Sequence, residues 1–249
     1  ARVSLYLHVP FCRKVCWYCG CNMKLAARYE PIAAYVDDLL KEIELVADAL
    51  PARMTISHLH WGGGTPTALT PDDLERVMAD VARRFDFAPD AERAIESDPR
   101  TLTQAMIERI GKLGFNRASF GVQEFDATVQ RAINRVQPAD MVRNAVDAFR
   151  AAGVERINFD LIYGLPHQSV ETLVATVDLA SAMRPDRIAL FGYAHVPWMA
   201  KKQRKISEAD LPGGPARLDQ ATAAAARLAA HGYGPIGLDH FALPDDPMA

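Results

Sequence analysis

Short apolar runs rich in β-branched and aromatic residues alternate with longer stretches of helical period along most of the chain. Segments 3–8, 55–61, 93–97, 117–121, 157–162 and 187–193 have the length and composition of strands. Segments 31–50, 70–85, 101–114, 138–153 and 169–183 place apolar residues three and four apart, as amphipathic helices do. Punctuation supports these helices. Thr70 stands before Pro71 at a first turn, and Gly114 and Gly153 follow two predicted C-termini.

Strands that alternate with helices pair in parallel, because the chain needs a crossover to return to the same edge. The pattern therefore predicts an α/β fold, a partial, open parallel β/α barrel of about six βα units over residues 1–249. In such sheets the loops after the strands carry the chemistry. Those loops read "PFCRKVCWYCGCN", "GGGTPT", "ESDP" and "GVQEF", and they are expected to share one face. No repeat, low-complexity tract or Ser/Gly linker marks a domain boundary.

Composition narrows the class. Hydrophobic residues make up 49% of the chain, enough for a large core. With 28 basic and 31 acidic side chains the net charge is -3, which provides no global field for nucleic acid or an anionic membrane. No segment has the length of a membrane span or the form of a secretory signal, so the expected setting is the cytoplasm. No face is apolar enough on sequence to argue for a subunit interface, so the default state is a monomer.

All four cysteines, Cys12, Cys16, Cys19 and Cys21, fall in the first of these loops. A reducing compartment favours metal binding or catalysis over disulfides for such a cluster. Structural zinc sites usually pair two CxxC knuckles across a longer spacer, which is missing here. A redox pair of Cys16 and Cys19 would leave Cys12 and Cys21 idle, and four buried bystanders would not cluster. Thiolates from one closely spaced loop also suit an iron-sulfur cluster.

CxxxCxxC after a first strand is the signature of the radical S-adenosylmethionine enzymes, and the chain from Val3 onward resembles them. The resemblance implies that Cys12, Cys16 and Cys19 hold a 4Fe-4S cluster whose fourth iron is chelated by S-adenosylmethionine. One electron then cleaves the cofactor to methionine and a 5'-deoxyadenosyl radical. By the same resemblance, the glycine segment Gly62–Gly64 meets the cofactor's amino group; a tight turn is the plainer reading of it.

The likeness is closer still to one family. "YLHVPFCRKVCWYCGCN", "LHWGGGTPT", "FNRASFGVQEF", "INRVQP", "NFDLIYGLPHQ", "FGYAHVP" and "GLDHFALPDD" resemble the bacterial oxygen-independent coproporphyrinogen III oxidases, nearly end to end. That implies oxidative decarboxylation of two propionates of coproporphyrinogen III to vinyl groups, giving protoporphyrinogen IX for haem synthesis. It implies two S-adenosylmethionine molecules and a reduced flavodoxin- or ferredoxin-like electron donor. Matched motif by motif, Tyr6, Gly63 and Glu96 fall where the first molecule is contacted. Tyr18, Gly64, Thr65, Gln123, Arg135, Asp160 and Ala194 fall where the second is. Cys21 and Tyr6 fall at catalytic positions. A haem chaperone of the same superfamily shares CxxxCxxC and the glycines; Cys21 in CxCN and "DHFA" at 239–242 favour the oxidase. That family also carries a leading segment and a C-terminal domain, which this chain is expected to lack.

The residues themselves allow blander roles. Glu96 suits a solvated strand end, and Asp160 interrupts an apolar strand and so needs a partner. His58 and His60 read as packed strand histidines, and the basic run 200–206 as a solvated loop or a site for propionates.

Overall fold

The computed structural model describes residues 1–249. Two compact units divide the chain: Ala1–Lys14, Asn22–Ala118 and Ala148–Glu155 form one, and Val15–Cys21, Ser119–Asp147 and Arg156–Ala249 the other.

The first unit holds β1 (Arg2–Val9), β2 (Phe11–Cys12), β3 (Lys24–Leu25), α1 (Glu30–Ala49), β4 (Thr55–Gly63), α2 (Pro71–Arg84), β5 (Asp86–Ser97) and α3 (Gln104–Lys112). β1 pairs in parallel with β4, and β4 with β5, so the loops after these three strands leave from one edge. α1 buries the stripe Ile32, Val36, Leu39 and Ile43, a helical period that seats it on the core. In α2 the Thr70 hydroxyl accepts from Asp73 N at 3.2 Å; Asp72 and Asp73 occupy its first turn and Arg83 and Arg84 its last, matching the helix dipole. β2 and β3 form a small parallel pair that sets Cys12 opposite Leu25.

β6 (Arg117–Gln123) begins in the first unit and continues in the second. The second unit adds α4 (Ala127–Ala132), most of α5 (Ala139–Ala151), β7 (Arg156–Tyr163), α6 (Val170–Ser181), β8 (Arg187–Gly192), α7 (Gly214–Ala230), β9 (Gly234–Gly237) and β10 (His240–Ala242). β7 and β8 are parallel, while β10 runs antiparallel to β8 and β9 antiparallel to β10. Ser169 and Thr172 close a capping box that starts α6.

All the predicted strands and helices are present, in the predicted order, and the fold is α/β with parallel pairing at its main strands. The antiparallel strands β9 and β10 and the helices α4 and α7 lie outside the prediction. β5 starts at Asp86, earlier than predicted, because Pro89 and Asp90 give its first half the look of a turn. α3 starts at Gln104, later than predicted, because the Thr103 hydroxyl caps it through Met106 N. No helix is long and apolar enough to cross a membrane.

Candidate functional site

In the first unit the candidate residues gather at the ends of β1, β4 and β5. Register sets Tyr6 opposite His60 and His60 opposite Ala94, so side-chain alternation brings Tyr6, His60 and Glu96 to one face. Both oxygens of Glu96 are engaged: His60 Nε2 lies 3.1 Å from Oε1, and Gly63 N–H donates to Oε2 at 3.2 Å. The Tyr6 ring stacks on His60 at 5.7 Å and an interplanar angle of 11°, and its hydroxyl lies 3.1 Å from His8 Nδ1. Tyr6 remains 53% exposed, so this stack presents an aromatic surface outward and does not fill the core.

Each glycine of 62–64 yields space to a different neighbour. A Cβ on Gly62 would stand 2.8 Å from Glu96 Oε1 and 2.9 Å from the Tyr6 hydroxyl. One on Gly63, whose φ is 114°, would press on the His8 ring at 2.6 Å, and one on Gly64 would meet the Phe11 backbone at 2.7 Å. The backbone contact demands glycine at 64 and the left-handed φ favours it at 63, while the neighbours of Gly62 are side-chain ends. Gly64 N–H donates to Val9 O at 2.8 Å, which ties the loop to the strand leading into Cys12. Thr65, buried, donates its hydroxyl to Cys12 Sγ at 3.4 Å.

In the second unit Cys16 is buried, and Arg135 Nη1 donates to its sulfur at 3.3 Å while Nε donates to Gly121 O at 3.0 Å. Cys21 N–H donates to Cys19 Sγ at 3.4 Å. The Cys19 thiol is lowered to about 5, first by the hydrogen bond from the Cys21 side chain and further by the Lys202 ammonium, against the opposing effect of burial. Cys19 is thus a thiolate at neutral pH. Cys21 is exposed, and the cysteines form no disulfide.

Gln123 is buried at a φ of 67°, and its Oε1 has no partner. A buried acceptor with no donor from the protein is able to accept one from a ligand. Tyr18 and Ala194, widely separated in sequence, are joined by Gln203: its Nε2 donates to Tyr18 O at 2.6 Å and to Ala194 O at 3.0 Å, and its Oε1 accepts from Val196 N at 2.6 Å. Asp160 is half-buried in β7, which lowers the desolvation cost of its carboxylate.

The basic run is not a free loop. Lys201–Lys205 forms a 3-10 turn whose centre, Gln203, is 1% exposed, and Lys205 Nζ stands 5.4 Å from the Trp17 ring. His58 is exposed and bonds only its neighbour Ser57, at 3.1 Å, so packing does not explain it. His60 is a partner of Glu96.

Sequence reasoning does not find the roles of His60, Lys202, Gln203 or Glu124. Glu124, fully buried, accepts from Phe125 N at 2.7 Å, Asp126 N at 3.0 Å, Gln168 Nε2 at 2.7 Å and the Thr176 hydroxyl. Burial pushes its carboxyl up. It fastens the end of β6 to α4 and α6, and its place beside Gln123 in "GVQEF" was the one available signal. No three His, Cys, Asp or Glu side chains converge on a single point, as a lone tetrahedral ion requires. A 4Fe-4S cluster instead gives each of its cysteine ligands a separate iron, and sulfurs that receive hydrogen bonds suit such ligands.

Comparison with known proteins shows the family. The profile described as the Radical SAM superfamily matches residues 6–180. The oxygen-independent coproporphyrinogen III oxidase of Bradyrhizobium diazoefficiens is 53% identical over 249 residues, 100% of this chain and 55% of that protein. The Synechocystis protein of the same name is 41% identical over 247 residues, 99% of this chain and 53% of that one. This chain therefore spans about half the length of the curated relatives it matches. Among solved structures, the coproporphyrinogen III oxidase of Escherichia coli, described as a radical SAM enzyme, superposes with a TM-score of 0.94 at 42% identity, covering 98% of this chain and 56% of that one. A radical S-adenosylmethionine methyltransferase from Kitasatospora setae has a TM-score of 0.56 at 13% identity over 76% of this chain and 34% of its own, a likeness of fold alone.

Proposed function

This chain belongs to the Radical SAM superfamily, whose members take a 4Fe-4S cluster and S-adenosylmethionine, and we propose that it is the catalytic core, residues 1–249, of an oxygen-independent coproporphyrinogen III oxidase. The reaction is oxidative decarboxylation: each of two propionates loses a β-hydrogen, an electron and carbon dioxide to become a vinyl group, and coproporphyrinogen III becomes protoporphyrinogen IX. When bound, the cluster and S-adenosylmethionine supply the one-electron chemistry that removes the β-hydrogen. The setting would be the cytoplasm, the electron donor a reduced flavodoxin or ferredoxin, and the protein a monomer.

One observation carries the reading. The three sulfurs of CxxxCxxC each receive a hydrogen bond: Cys12 from Thr65, Cys16 from Arg135 and Cys19 from Cys21 N–H. Such donors stabilise a thiolate's charge, which both retains the metal and sets its potential. Cys12, Cys16 and Cys19 are the proposed ligands, and Cys21 acts beside them on Cys19.

The other residues bind and orient. Glu96, fixed by His60 and Gly63, offers its remaining lone pairs to an amine or ribose hydroxyl, beside the Tyr6 ring; with Gly63 these form the proposed contacts to a first S-adenosylmethionine. The open Oε1 of Gln123 suits a donor on a second molecule, which Tyr18, Gly64, Thr65, Arg135, Asp160 and Ala194 would also contact.

Anaerobic reconstitution with iron and sulfide, followed by dithionite and S-adenosylmethionine, tests the first part. The longer protein that contains this chain is expected to release 5'-deoxyadenosine and methionine. An intact cluster with no cleavage would refute the reading, and tightly held zinc with no iron would replace it with a structural site.

A further inference from the structure

The parallel strands β7 and β8 end side by side, with Tyr163 opposite Gly192. Gly164 follows β7 at a φ of 83°, and Tyr193 follows β8. Gly164 gives way to Arg217, and Gly192 gives way first to the Tyr163 ring, whose hydroxyl would lie 2.8 Å from an added Cβ, and then to Arg217. A Cβ on Gly164 would stand 2.8 Å from Arg217 Nε, and one on Gly192 would stand 3.3 Å from Arg217 Nη2. The half-buried Arg217 guanidinium thus occupies a slot at these two strand ends, where Nη2 donates to Tyr193 O at 2.7 Å and Cζ lies 6.0 Å from the Tyr163 ring.

Arg217 has no carboxylate partner within the protein, and it stands at the carboxyl ends of two parallel strands. Four other guanidinium groups with little exposure each take a carboxylate: Arg84 from Asp80 and Glu44, Arg100 from Asp98, Arg117 from Glu92 and Arg187 from Asp246. Arg93 Cζ lies 4.1 Å from the Phe87 ring centroid and its Nη1 donates to Leu113 O, and the half-buried Arg13 donates to Ala26 O and Ala68 O; neither stands at the carboxyl ends of β7 and β8. Arg217 spends one donor on a carbonyl and pairs with no acid. A guanidinium is always charged, and its planar fork matches a carboxylate with two parallel hydrogen bonds. The carboxyl ends of parallel strands are where ligands bind in α/β sheets. Tyr193, which holds the guanidinium, also precedes Ala194, one of the candidate cofactor contacts.

We propose that Arg217 binds a ligand carboxylate at the ends of β7 and β8, and that this carboxylate is a substrate propionate. The assignment rests on the porphyrinogen reading above. The methionyl carboxylate of S-adenosylmethionine has the same chemistry, and the test separates the two.

The full-length protein is titrated with coproporphyrin III, the stable oxidised form of the substrate, and with its tetramethyl ester, which has no carboxylate. Arg217→Gln is expected to weaken coproporphyrin III binding roughly ten- to a hundredfold, as loss of a charge-assisted pair does. Ester and S-adenosylmethionine binding, iron content and Tm should stay at wild-type values, and Arg217→Lys should recover part of the loss. In turnover KM should rise more than kcat falls. Equal weakening for acid and ester would reduce Arg217 to a strut for β8 and overturn the proposal, as would unchanged binding of coproporphyrin III. Loss of S-adenosylmethionine binding with the porphyrin retained would overturn the substrate assignment in favour of the cofactor. A wild-type protein that binds neither porphyrin refutes the porphyrinogen reading itself.

Discussion

His60 Nε2 lies 3.1 Å from Glu96 Oε1, and this pair joins two adjacent parallel strands at the end that carries the glycine segment. Because Gly63 N–H takes the other oxygen, the carboxylate cannot turn without breaking one of two hydrogen bonds. Glu96→Ala is expected to weaken S-adenosylmethionine binding by about 1.5–3 kcal/mol, the range for hydrogen bonds to a charged group, or roughly ten- to a hundredfold in Kd. His60→Phe keeps the ring against Tyr6 but drops the hydrogen bond, and should give a smaller loss. Equilibrium binding to the reconstituted protein measures both; wild-type affinity in Glu96→Ala would remove Glu96 from the cofactor site.

Gly64 should tolerate no side chain. The added Cβ would lie 2.7 Å from Phe11 O and 2.8 Å from Phe11 N, which are backbone atoms with no rotamer to escape into. Gly64→Ala is expected to cost about 1–3 kcal/mol, as overpacking does, and to lower Tm by roughly 2–4 °C per kcal/mol. The displaced backbone leads into Cys12, so iron retained after reconstitution should fall with stability. Thermal melts and iron assays check this pair of effects.

The Cys19 thiol in the metal-free protein should ionise near 5 instead of the usual 9. A depressed folded-state pKa stabilises the fold at pH above the unfolded value, and that contribution is lost as pH falls from about 9 toward 5. Alkylation by iodoacetamide at pH 6 should therefore favour Cys19. Cys21→Ala removes the first cause of the shift and should move the midpoint up, and Lys202→Met should do so less. A midpoint near 9 in the starting protein would contradict the geometry of this loop.

Cys21→Ser tests how the four thiols divide. The variant is expected to keep its iron and lose activity, whereas Cys12→Ser, Cys16→Ser and Cys19→Ser should lose iron. Iron loss in Cys21→Ser as large as that in Cys19→Ser would make Cys21 a ligand.

Local pattern carried most of the fold. Strands such as 157–162 and helices such as 138–153 announce themselves by period, and Thr70 and Gly153 mark ends that the structure keeps. α7 escaped because "GPARLDQATAAAARLAA" is so rich in alanine that its apolar stripe is faint, and β9 is short and contains Gly and Pro. The site divides along the same line. The spacing of Cys12, Cys16 and Cys19 is a local signal. The pairing of His60 with Glu96 depends on strand register, and the bridge from Gln203 to Tyr18 spans 185 positions. No periodicity reports contacts of that kind. Arg217 is the extreme case, since it lies against Gly164 after one strand and Gly192 at the end of the next.

The central claim is that this chain forms the core of a decarboxylating enzyme, and turnover of coproporphyrinogen III tests it most directly. The full-length protein, reconstituted without oxygen and supplied with reductant and S-adenosylmethionine, is predicted to yield protoporphyrinogen IX with two molecules of carbon dioxide for each product. Stoichiometric haem binding with no carbon dioxide and no vinyl product would contradict the account and make the protein a haem carrier.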